Sequence, residues 1–227
     1  MPFSLPEEGA VAYLCGMEEK AKIIQAYKEL SLESSRFPVS INAVCERAEV
    51  ERPVFHKHFV GLATVQEAIW QGFFMSTINS IEASEVYAEY MVREKLLAFY
   101  FTFFEVVSDD RAFVELFSEQ MGVWNYNPRC LMGMKPLFLA FLTELVEEGK
   151  EVEEVAERYV MGGDYPGWHW PQFLYLVNFW LGDKSEGYAR TDQAVEKAVN
   201  FGFDVMGRNV LDSAFDLARF LFGGKGK

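Results

Sequence analysis

Residues 40–59 read SINAVCERAEVERPVFHKHF, and the spacing of the apolar residues in this stretch decides the fold. Ile41, Val44, Cys45 and Ala48 recur at i, i+3, i+4 and i+7, the stripe of a short helix that buries one side. Ser40 stands just before it, where a side-chain oxygen accepts a hydrogen bond from a first-turn N–H. Val50, Val54, Phe55 and Phe59 supply the buried side of a second short helix and turn Glu51, Arg52, His56 and Lys57 outward. Two such helices across a tight turn make a helix-turn-helix, whose second helix is offered to a DNA groove. The same spacing also suits an ordinary helical hairpin in an α-helical core.

The residue types go further, because the stretch resembles the DNA-binding segment of the tetracycline-repressor (TetR) family. That family opens its second helix on Ser or Thr, turns on Ala-Gly-Val and closes its recognition helix on Tyr-x-His-Phe. Ser40, Ala48-Glu49-Val50 and His56-Lys57-His58-Phe59 hold those places in register. A preceding helix with Ile23, Ile24, Tyr27 and Leu30, and a long following helix from about Gly61, complete the family's order of elements. The resemblance implies an all-α, TetR-like fold. Residues 1–62 would form an N-terminal arm and helix-turn-helix domain, and residues 63–227 a helical body for effector binding and dimerisation. It also implies that Ser40, Arg52, His56 and Lys57 meet double-stranded DNA.

Several positions depart from the family pattern. Glu49 replaces the turn Gly, Glu51 the Ser or Thr that starts the recognition helix, His56 the phosphate-contacting Tyr, and Leu62 the Lys of the next helix. A carboxylate facing the phosphate backbone repels it, and each missing cation removes a counterion-releasing contact. Residues 1–62 hold seven Lys or Arg against nine Asp or Glu, a formal charge of −2.

The chain of 227 residues carries a net charge of −13, so its long-range field opposes nonspecific attraction to nucleic acid or anionic membrane. Most of that charge falls outside the first 62 residues, which leaves local DNA contact open. Aromatic residues make up 16% of the chain, with 21 Phe, an excess that points to a lined cavity or an extensive subunit interface. Cys15, Cys45 and Cys130 are odd in number and unpaired in spacing, which fits a reducing compartment, and Cys45 lies on the buried stripe. No stretch has the layout of a signal peptide or reaches the roughly 18 apolar residues of a membrane span. A cytoplasmic protein is expected. Nucleophile elbows, phosphate-cradling Gly loops, Cys-x-x-Cys and His-Glu-x-x-His are missing from the sequence, so neither an enzyme nor a cofactor or metal site is expected.

Taken in order, residues 1–16 read as a partly ordered arm, with Pro2, Pro6 and Gly9 but no Lys or Arg to reach a minor groove. A first helix is predicted from about Met17 to Glu33, then a loop through Pro38. After the hairpin a long helix is predicted from Leu62 to about Tyr90, where the family joins head to body and where a ligand acts on head spacing. Residues 93–107 contain LLAFYFTFF, apolar on nearly all sides, which demands burial at the centre of the body. Ser108-Asp109-Asp110 ends that helix and caps the next, which runs to about Met121.

Gly122 to Met134 is irregular and aromatic, a plug over the core or the lip of a pocket, and residues 135–148 return to helix. The acidic run from Glu147 to Arg158 reads as a solvated helix face. Gly162 to Pro171, GGDYPGWHWP, reads as a second irregular stretch beside an apolar helix from Phe173 to Leu181. His169 there has no companion ligands at metal-binding spacing, so a hydrogen-bonded structural role is expected. Trp124, Trp168, Trp170 and Tyr175 are the expected wall of an effector pocket.

Two terminal amphipathic stripes are expected to form a four-helix homodimer interface, as in the family. Residues 191–206 supply Val199, Gly202 and Met206, and residues 210–222 supply Leu211, Ala214, Phe215, Ala218 and Phe222. The stripes also suit packing on their own body. Two functions follow: a homodimeric transcriptional regulator answering to an apolar small-molecule effector, or a TetR-like protein that has lost DNA binding and holds a lipid or isoprenoid. The acidic turn favours the second, and the intact register from Ser40 to Phe59 favours the first.

Overall fold

The computed structural model describes residues 7–118, 125, 127–151 and 165–206. All the regular elements among these are helical. Helices α1 (Glu7–Ser34), α2 (Ile41–Arg47) and α3 (Arg52–His58) form an N-terminal head. Helices α4 (Leu62–Glu82), α5 (Val92–Ser108), α6 (Arg111–Glu115), α7 (Met134–Glu151), α8 (Tyr165–Gly182) and α9 (Ala189–Met206) follow in the body. Short 3₁₀ turns cover Tyr87–Glu89, Arg129–Leu131 and Glu186–Tyr188.

Helix α1 begins ten residues earlier than the sequence suggests, directly after Pro6. It ends where Ser35 takes a left-handed conformation (φ 49°) and the Arg36 N–H donates to the Ser31 carbonyl at 3.1 Å, a closed helix end of the Schellman type. Helix α4 stops at Glu82, short of Tyr90, because the apolar spacing lapses after Ile81. Tyr87 packs instead beneath the Lys95 ammonium, 5.8 Å from its ring centre.

The central helix is α5, as its composition requires. Leu96, Phe99, Tyr100, Phe103 and Phe104 are all buried, against α4, α7, α8 and α9. Phe138 of α7 and Phe173 of α8 meet at 4.9 Å between ring centres, and Phe103 meets Phe173 at 5.1 Å. Much of the aromatic excess is therefore spent on the core of a single subunit.

The stretch expected to be irregular, 162–171, is corrected where it is described: from Tyr165 onward it is the start of α8, and Pro171 sits inside the helix with its ring exposed. A proline there forfeits one helical hydrogen bond. Tertiary packing outweighs this, because Trp170 stacks on Phe173 at 5.6 Å and both are buried.

Between α8 and α9 the chain turns around Asp183. Its carboxylate accepts from the Ser185 N–H (2.9 Å) and Oγ (2.7 Å) and from the Thr191 N–H (2.9 Å) and Oγ1 (2.7 Å). Burial pushes this carboxyl up, but the four donors outweigh burial and hold it well below the usual carboxylate range. A depressed folded value means stability that is present above the unfolded value of about 4 and lost as the pH falls below it. Asp183→Asn, which cannot titrate, is expected to melt lower than wild type at pH 7, with the gap beginning to narrow below about pH 4. A gap that stays constant down to pH 3 in thermal denaturation would mean that the ionised carboxylate contributes nothing special.

Candidate nucleic-acid interface

The head is built as the hairpin pattern requires. Ser40 is the N-cap of α2, with its Oγ accepting from the Ala43 N–H at 3.4 Å. Val44, Cys45, Ala48, Phe55 and Phe59 are buried together with Ile23, Ala26 and Tyr27 of α1. The turn between α2 and α3 closes through the Val50 N–H donating to the Cys45 carbonyl at 3.0 Å. That closure puts Glu49 at φ 53°, in the left-handed region where the family places Gly. Glu49 is exposed, so Glu49→Gly removes backbone strain and no packing. The strain relieved, about 1 kcal/mol, is partly offset by the freedom Gly adds to the unfolded chain. A net gain of about 0.5 kcal/mol in denaturant unfolding is expected. A loss would show that the Glu49 side chain makes a stabilising contact.

Arg52, Pro53, His56 and Lys57 are all exposed on α3, and Arg52 and His56, four residues apart, share a face. Ser40 is exposed at the start of the preceding helix. The recognition helix starts at Arg52 with Pro53 in its first turn, where a missing N–H costs nothing, and Glu51 as an N-cap that makes no side-chain bond.

The charges around this surface are matched across α1. Lys57 Nζ lies 3.4 Å from Glu19 Oε2, and His58 Nε2 lies 3.1 Å from the same oxygen. The hydrogen bond to His58, followed by Lys57, holds the Glu19 carboxyl below its usual value against the effect of burial. Arg47 makes a two-pronged pair with Glu33 at 2.7 and 2.8 Å and reaches Glu29 at 3.3 Å, tying α2 to α1. Glu19 is the residue that sequence reasoning missed, since it lies 38 positions from Lys57 and no local spacing announces the contact.

The other expected site residues fall elsewhere. Trp170 is 3% exposed and Tyr175 is 55% exposed. Five residues apart on one helix, they point to different sides. Tyr175 lies 6.1 Å from the Phe179 ring on the outer side of α8. Trp124 lies outside the described residues, as do the side chains of Trp168 and Met206 and all of Leu211, Ala214, Phe215, Ala218 and Phe222.

Val195, Val199 and Phe203 are buried by α5 and α8 of the same subunit, and a Cβ on Gly202 would stand 3.0 Å from His169 Cε1. Val199 lies in the core of the chain, and Gly202 is partly buried beside it. His169 is buried, with Nδ1 2.5 Å from Gln172 Oε1; burial lowers its proton affinity against that hydrogen bond.

Deep in the body the Tyr100 hydroxyl is buried without a hydrogen-bond partner among the described residues, and burial raises its pKa strongly. Among the described residues no three His, Cys, Asp or Glu converge as metal ligands, and no helix is long and apolar enough to cross a membrane.

The described residues thus form a helix-turn-helix head on an aromatic helical body. The chain belongs to the TetR family: residues 95–221, more than half of it, match the family described as tetracyclin repressor-like, C-terminal domain. The fold is similar to the crystal structure of a protein from Syntrophomonas wolfei str. Goettingen assigned to the TetR-family transcriptional regulators. The TM-score is 0.60 at 18% identity, over 84% of this chain and 95% of that one. No curated protein matches the sequence significantly.

Proposed function

We propose that this protein is a transcriptional regulator that binds a pseudo-palindromic operator as a homodimer. Residues 1–62 act as the DNA-binding unit and residues 63–227 as the unit for effector binding and dimerisation. The observation that carries the reading is the intact helix-turn-helix, with its Ser40 cap and its exposed Arg52, His56 and Lys57 on α3. In this reading Arg52 and His56 face the groove, and Ser40 and Lys57 meet phosphates. The effector is an apolar small molecule held in the aromatic body, and the unpaired Tyr100 hydroxyl supports a ligand with one hydrogen-bonding group. Dimer contact falls to the two C-terminal stripes, Val199, Gly202 and Met206 in one and Leu211, Ala214, Phe215, Ala218 and Phe222 in the other.

Selection of bound fragments from sheared DNA of the source organism at low salt, with fluorescence anisotropy on the enriched fragment, tests the reading. Enrichment of one palindromic site supports it; no enrichment sinks it. One observation favours a second reading, a lipid or isoprenoid carrier that no longer binds DNA: Glu19, Glu29 and Glu33 already engage Lys57 and Arg47. Solvent extraction of the purified protein, followed by mass spectrometry of any bound lipid, addresses that alternative.

A further inference from the structure

Three carboxylates of the head are already engaged, Glu19 by Lys57 and His58, and Glu29 and Glu33 by Arg47. Glu51 differs from them. It stands exposed immediately ahead of α3, on extended backbone (φ −77°, ψ 153°), where it caps no N–H of the helix and forms no ion pair among the described residues. Arg52 follows it and is exposed as well. The first residues of a recognition helix are those that meet base edges in the major groove. A side chain that only accepts hydrogen bonds and one that only donates them therefore stand next to each other where bases are read.

The two groups ask different things of a base pair. The Arg52 guanidinium matches the paired acceptors of guanine, O6 and N7. The Glu51 carboxylate is repelled by the phosphates on either side of the groove and needs a donor. The major groove offers two, the amino groups of adenine and of cytosine. Adenine sets the acceptor N7 beside its amino group, which opposes a carboxylate, whereas cytosine presents its amino group with no acceptor of its own beside it. We propose that Glu51 is a specificity residue that accepts a hydrogen bond from the N4 amino group of cytosine, so that each operator half-site carries cytosine at one fixed position. The inference rests on the regulator reading. It gives the acidic start of α3 a use: the carboxylate lowers affinity for every sequence and raises discrimination between sequences.

Selection of bound duplexes from a random library, run in parallel with the full wild-type chain and with Glu51→Gln, tests the assignment. Wild type is expected to enrich half-sites with cytosine at one position. Glu51→Gln keeps the size of the side chain and removes its charge, and a glutamine amide pairs with both the amino group and N7 of adenine. That one position is therefore expected to turn from cytosine to adenine while the others stay as they are. In fluorescence anisotropy on the enriched duplex, exchanging that C·G pair for A·T is expected to weaken wild type about 10-fold or more and to strengthen Glu51→Gln. Glu49→Gln removes the same charge from the neighbouring turn, and is expected to raise affinity for all sequences alike. An operator selected with the same bases by wild type and Glu51→Gln overturns the assignment and leaves the regulator reading standing. So does a Glu49→Gln variant that changes the same base, since net charge and not contact would then set the preference. Failure of wild type to select any operator overturns both.

Discussion

Phe113→Ala is expected to lower the free energy of unfolding by about 3–5 kcal/mol, the range for deleting a fully buried aromatic ring. Phe113 has no exposed surface. Its ring meets Phe117 at 5.3 Å, Phe37 at 6.2 Å and Tyr27 at 6.4 Å, and helps to enclose the Lys28 ammonium. Deletion therefore opens a cavity and weakens the surroundings of an ion pair at the same point. For a chain of this size the loss corresponds to a fall in Tm of about 6–20 °C. Phe113→Leu, which keeps most of the volume, is expected to cost far less, about 1–2 kcal/mol. The position is also diagnostic: the ring sits where α1 of the head, the loop into α2, and α6 converge. If Phe113→Ala costs less than about 1.5 kcal/mol in denaturant unfolding, the head does not lean on α6.

The head is legible in the sequence because its information is local. Ser40, the apolar stripe from Ile41 to Ala48 and the closing Phe59 sit within twenty residues, at spacings that suit a capped hairpin. The buried α5 is legible for a similar reason, since LLAFYFTFF tolerates no exposed face. Composition misleads where it stands in for packing. GGDYPGWHWP looks like a loop because Gly and Pro usually break helices, but the burial of Trp170 against Phe138 and Phe173 overrides local preference from Tyr165 onward. The α9 stripe looks like an interface because small and bulky residues alternate in it. Within the chain it packs on α5 and α8, with Gly202 set against a histidine from another helix. The Glu19 pairs, the Lys28–Asp110 pair and the bonds of Arg111 to the end of α8 are illegible for one reason: their partners lie 38 to 82 positions apart, and only the folded chain brings them together.

The charge balance of the head gives the prediction that bears most directly on function. Arg52→Ala combined with Lys57→Ala removes two exposed cations from α3 and is expected to weaken binding to a selected operator about 10- to 100-fold near 0.1 M salt. The slope of log affinity against log salt should flatten by about one, for the phosphate that no longer meets Lys57. The two cations are not equal, however. Lys57 already faces Glu19 at 3.4 Å, so DNA has to compete with a carboxylate for it, whereas Arg52 forms no ion pair among the described residues. Glu19→Gln is expected to act in the opposite direction, freeing Lys57 and strengthening binding several-fold at low salt. Opposite signs from two substitutions on one exposed surface are hard to produce by damage to the fold, which would weaken binding in both. If the double variant binds as wild type does and Glu19→Gln changes nothing, α3 does not touch DNA. The matched charges of the head would then be a structural seam between helices, and the aromatic body, with its buried Tyr100 hydroxyl, would be the place to look for the molecule this protein carries.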